Sequence, residues 1–143
     1  MRLILLILFC CVSVFSQTDT KIDEKEITKS FAEKTLKDAN WVKVTSDGSV
    51  DFYVDAASLK REKNAVDFYV KLNKRGNLDY TLIAGDCQTD VYIIRFGFSQ
   101  VVDEELKFIP PLPTGGFGSA KNGTVMVEML NYACTEGAKK KEK

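Results

Sequence analysis

The segment Val50-Asp51-Phe52-Tyr53-Val54 returns, residue for residue, as Val66-Asp67-Phe68-Tyr69-Val70, and the alternation within these two stretches decides the architecture. With a period of two, the Val and Phe side chains fall on one face of each stretch, and Asp51, Tyr53, Asp67 and Tyr69 fall on the other. Each stretch is therefore a strand with one apolar face. Such short copies set up no repeat architecture, so the recurrence is shared strand patterning. Upstream, Trp41-Val42-Lys43-Val44 reaches the first copy through Ser46-Asp47-Gly48-Ser49, and the Asp47-Gly48 pair predicts a β-hairpin. Between the copies, Asp55-Ala56-Ala57-Ser58-Leu59 reads as one helical turn capped by Asp55, with residues 60–64 as an exposed return.

Downstream, Lys74-Arg75-Gly76-Asn77 predicts a turn and residues 80–87 a strand. Residues 91–98 predict another, with Tyr92, Ile94, Phe96 and Phe98 on one face and Arg95 on the other. A short strand is expected over residues 106–109. Connections this short force antiparallel pairing, because a parallel pair needs a crossover of about a dozen residues. Pro110, Pro111 and Pro113, with Gly115, Gly116 and Gly118, end the sheet in a loop. A helix follows, starting from Ser119 or, if Asn122-Gly123 delays it, from Thr124. Val127, Leu130 and Cys134, beside Met126, Met129 and Ala133, give it an apolar stripe. The expected fold class is α+β, an antiparallel β-sheet of about five to six strands with a C-terminal α-helix packed on one face.

At the N-terminus, Met1-Arg2 precedes an apolar run over residues 3–12 that is short for a bilayer span. It reads as a secretory signal peptide, residues 1–16, with Val14 and Ser16 suiting the cleavage site; a retained membrane anchor is the rival reading. Cys10 and Cys11 leave with the signal. Cys87 and Cys134 remain, and two cysteines in an oxidising compartment are expected to pair, here joining a strand end to the helix. Residues 17–40 read as a charged leader, part-helical or disordered, in which Ile22, Ile27, Phe31 and Leu36 only loosely fit one helical face. The domain proper is expected over 41–135 and a solvated Lys-rich tail over 136–143. No integral membrane segment is expected after signal cleavage.

The chain has 143 residues, and its 20 Lys+Arg balance 20 Asp+Glu, so no net field draws it to nucleic acid. It contains no histidine, which excludes Ser-His-Asp and Cys-His catalysis and histidine-ligated zinc. With both remaining cysteines assigned to each other, no metal site and no cofactor site is expected. Gly115-Gly116-Phe117-Gly118 lacks the lysine of a phosphate-binding loop.

Several of these features occur together in one known family. Trp41 opens the first strand, and Tyr53-Val54-Asp55 leads to Ser58-Leu59. The aromatics Phe68 and Tyr69 follow, Asp86-Cys87 stands at a strand end, and a Pro-rich loop leads to Ser119 and a helix carrying Cys134. In this the chain resembles the surface-adhesin protein E-like domain family of small exported bacterial domains, over roughly residues 41–134. The resemblance implies a disulfide-linked sheet-plus-helix domain. It also implies a place in the periplasm or at the cell surface of a Gram-negative bacterium, and adhesion-type binding of protein. The chain departs from that pattern in having no histidine and no clear lipoprotein cysteine.

Function is then expected at the polar sheet face, where Asp51, Tyr53, Asp67 and Tyr69 form a candidate binding patch for a protein or small-molecule ligand. An ordinary solvated face is the plainer reading of the same residues. Trp41 reads as a core anchor and Arg95 as the partner of a carboxylate on a neighbouring strand. The alternative to a non-enzymatic binding domain is a small periplasmic enzyme or enzyme inhibitor. It would use Asp51 and Asp67 as an acid–base pair, or the loop over residues 110–118.

Overall fold

The computed structural model describes residues 23–101, 104–111 and 116–141. The expected signal segment 1–16, the start of the leader, Pro113 and Gly115 of the Pro/Gly loop, and the last two residues of the tail lie outside them.

The expected α+β class holds: an antiparallel sheet carries the C-terminal helix on one face. Its strands are β1 (Trp41–Asp47), β2 (Val50–Asp55), β3 (Lys60–Glu62), β4 (Ala65–Lys74), β5 (Asn77–Asp86), β6 (Val91–Gln100), β7 (Lys107–Ile109) and β8 (Phe117–Ser119). Eight strands replace the expected five to six, because three-residue strands share ranks. β2 and β3 lie end to end along β4, and β7 and β8 lie end to end along β6. The expected exposed return after Leu59 is therefore partly strand, and Ser119 ends β8 opposite Val91 instead of capping the helix.

The two recurring pentapeptides lie on paired strands and meet at one position, Val54 opposite Val70, with Phe52 opposite Leu72 beyond the second copy. Val54, Val66, Phe68 and Val70 are buried with Ile83 beneath helix α2 (Val125–Lys141). Met129, Leu130 and Ala133 of α2 fill this layer, and Gly85 admits Leu130, whose Cδ1 would collide with any β-carbon there. The helix starts after Thr124, as the delayed alternative had it, and runs beyond the expected domain end at 135 to Lys141. Gly137 lies against Arg61, whose guanidinium donates to the carbonyl of Cys134. Most of the expected tail is thus the last turns of a packed helix. Cys87, just beyond β5, is disulfide-bonded to Cys134 with their Cα atoms 5.8 Å apart. Beside it, the Asp86 carboxylate accepts from the Gln88 and Thr89 amides at 2.8 and 2.9 Å, and these bonds hold its pKa below the ordinary 3.8.

The opposite face is covered as well. Asp23 caps helix α1 (Glu24–Ser30), and α1 continues into a π-helical turn, Phe31–Leu36. An α-helix carries a residue five positions on about 140° round its axis. The wider π turn returns Leu36 to the side of Ile27 and Phe31, and all three meet one aromatic cluster. Phe31 is 3% exposed, stacked on Phe98 at 4.1 Å and tilted against Tyr69 at 5.1 Å and Tyr80 at 5.4 Å. Part of the expected leader is therefore a strap across the sheet.

Two β-bulges reset the side-chain alternation. Leu82 faces Phe96 and Ile83 faces Ile94, so Arg95 is the extra residue. Phe96 and Phe98 consequently join the strap-side cluster while Tyr92 packs under α2, which corrects the expectation of one shared face. Val44 is the corresponding extra residue in β1. The β4–β5 hairpin turns on Arg75 and Gly76 at φ 52° and 88°. Such a turn favours Asn-Gly, so Arg75→Asn raises stability by about 0.5–1 kcal/mol, seen as a higher urea midpoint at unchanged slope.

Candidate functional site

Asp51, Tyr53, Asp67 and Tyr69 do share the face away from α2, but they divide into two places. Asp51 stands opposite Asn73 and Tyr53 opposite Lys71. The Asp51 carboxylate takes the Lys43 ammonium at 2.7 Å and the Ser46 hydroxyl at 2.8 Å, and these partners, Lys43 first, draw its pKa below the usual aspartate value. The Lys71 ammonium lies 4.3 Å from the Tyr53 ring centre and 5.0 Å from that of Trp41, and burial lowers its pKa. Trp41 itself is half-buried in the strap-side cluster, 5.7 Å from Tyr80, as a core anchor. These groups satisfy one another.

Asp67 and Tyr69 instead line a cleft of about 370 Å³ at the end of the strap. The strap contributes Lys34 and Thr35, and Asp38 follows it. The turn after β2 contributes Ala57 and Ser58, β3 contributes Lys60, and Leu82 of β5 adds an apolar patch. Tyr69 is the hinge between strap and cleft. One side of its ring carries Phe31, and Thr35 lines the cleft beside it. Burial pushes the Tyr69 pKa up, against the smaller opposing effect of Thr35. The strap thus turns what was expected to be an open sheet face into a recess.

Beneath the cleft sits Asp55, 1% exposed, whose Oδ1 accepts from the Asn40 amide at 2.7 Å and the Ala57 amide at 2.9 Å. The Ser58 hydroxyl donates to the Asp55 carbonyl at 3.1 Å and accepts from the Tyr69 amide at 3.3 Å. The capped turn read from Asp55 to Leu59 is present, and it fixes one wall. Arg95 reaches across β5 to pair with Asp67 of β4 at 4.0 Å, so its carboxylate partner lies one strand beyond the neighbouring strand expected.

Asp51 and Asp67 are not brought together. Asn73, the register partner of Asp51, lies six residues along β4 from Asp67. That is roughly 20 Å at strand rise, whereas carboxylates acting as an acid–base pair stand about 5–10 Å apart. At the end of the Pro/Gly loop, residues 117–119 form β8 and Gly118 lies against the Tyr92 ring.

Lys34, Thr35, Asp38, Ser58, Lys60 and Leu82 were not candidates from sequence. They come from separate segments, and the only local signal was the capped turn at Asp55. Among the described residues no cluster of three acidic or cysteine side chains is placed to hold a metal ion, and no helix is long and apolar enough to cross a membrane. Comparison with family models, with curated proteins and with solved structures finds no match to this chain.

Proposed function

We propose that the chain is an exported, non-enzymatic binding domain whose ligand is a small polar molecule seated in the cleft under the strap. The observation that carries this reading is the combination at Tyr69. A half-buried tyrosine with a fixed ring forms the floor, ringed by hydroxyls and charges of both signs from four separate segments. A mostly preformed recess with an apolar floor and a few oriented polar groups is the usual form of a small-ligand site. A periplasmic or cell-surface location accords with the signal-like N-terminus, the disulfide and the resemblance to surface-adhesin E-like domains.

The test is an NMR titration of the disulfide-bonded chain with phenyl glucoside, benzylamine, benzoate and phenyl phosphate. At least one probe shifts the amides of Thr35, Ser58, Asp67 and Tyr69 together, and Tyr69→Ala weakens it about tenfold, the loss expected of a buried aromatic contact. Shifts confined to the α2 face, or none at millimolar probe, overturn the reading.

A further inference from the structure

Resting on that reading of the cleft, we propose that its ligand carries an anionic group, a carboxylate or a phosphate, held between Lys34 of the strap and Lys60 of β3. The carboxylates that line the cleft are largely committed. Asp55 is buried and spends one oxygen on two backbone amides, and Asp67 is offset by Arg95. Among the described residues neither Lys34 nor Lys60 takes part in an ion pair. Lys140 adds a further ammonium at the rim, donating to the Ala57 carbonyl at 3.1 Å. Asp38 and Asp55, whose charge its amide bonds leave in place, oppose these three lysines, and with Asp67 set against Arg95 the excess is one positive charge.

A cationic ligand therefore meets net repulsion at the mouth, and an anionic one meets attraction focused by the recess. Ammonium–carboxylate and ammonium–phosphate bonds are charge-assisted and supply the orientation, while Leu82 and the Tyr69 ring receive an apolar or ring-shaped body. Lys34 and Lys60 belong to different elements, so one anion between them also fastens the strap to the sheet. Binding and strap docking are then linked, each favouring the other.

The same probes decide the matter by charge. Phenyl phosphate or benzoate binds at the cleft, the stronger of the two identifying phosphate or carboxylate, and benzylamine does not. Lys34→Gln and Lys60→Gln each weaken the anion about tenfold, the effect of one charge-assisted bond. Lys29→Gln, which alters a lysine paired with Glu33 on the strap, leaves affinity unchanged. Bound anion also slows amide exchange over residues 31–36. Cleft shifts from benzylamine or phenyl glucoside with none from either anion overturn the anionic assignment and leave the binding reading standing. Unchanged affinity in both lysine variants has the same effect. Silence from all four probes removes both.

Discussion

Cys87→Ala together with Cys134→Ala lowers the free energy of unfolding by about 4 kcal/mol, as expected for opening a long loop in the chain-entropy model. The cysteines are 47 residues apart, and the bond joins the end of β5 to the middle of α2. Without it the unfolded chain gains the freedom that the cross-link denied it. The folded form keeps its contacts, because Met129, Leu130 and Ala133 still pack on Phe68 and Val70. Urea denaturation of the double variant, alongside wild type with and without reductant, measures the difference. Equal midpoints for the two oxidation states would show that the cross-link contributes nothing. A lost helical signal in the native variant would show that α2 is held covalently and not by packing.

Phe31→Ala has the second-largest effect, about 3 kcal/mol, and it is local. Phe31 is the buried residue of the strap, and truncating a buried phenylalanine costs about 3–5 kcal/mol. Its stacking on Phe98 and its contacts with Tyr69 and Tyr80 add to that burial. The strap is too short to persist as an isolated helix in water, so losing this anchor undocks it. Amide exchange over residues 24–36 accelerates more than a hundredfold while β4 and β5 stay protected. Phe31→Leu, which keeps an apolar side chain in the same seat, loses much less. Uniform acceleration through β4 and β5 would mean that strap and sheet unfold as one unit.

These two sites differ in how far the sequence disclosed them. The pairing of Cys87 with Cys134 was legible from cysteine count and the signal-like N-terminus, and the central hairpins from Asp47-Gly48 and the recurring alternation. The strap was obscured because a five-residue step from Phe31 to Leu36 breaks α-helical periodicity, and only the π turn makes it consistent. The bulge at Arg95 was illegible for a related reason: an inserted residue inverts every later side chain while the apolar pattern looks continuous. Strands β3 and β8 carry three residues each, too few for an alternation to declare itself. The candidate patch divides in two: Asp67 and Tyr69 open onto the cleft, while Asp51 and Tyr53 are engaged with Lys43 and Lys71. A recess assembled from four separated segments leaves no trace in local spacing.

The Asp55 clamp limits how the strap can travel. Asn40 is pinned twice, its amide to the Asp55 carboxylate and its carbonyl to the Ala56 amide at 2.8 Å. Any swing must therefore pivot within Lys37, Asp38 and Ala39, a tether reaching at most about 10 Å when taut. The Leu36 end of an undocked strap stays within roughly a helix diameter of its seat, and its return is a short tethered search. The strap is thus joined to the sheet by a three-residue pivot, and Asp38, which lines the cleft, sits on that pivot.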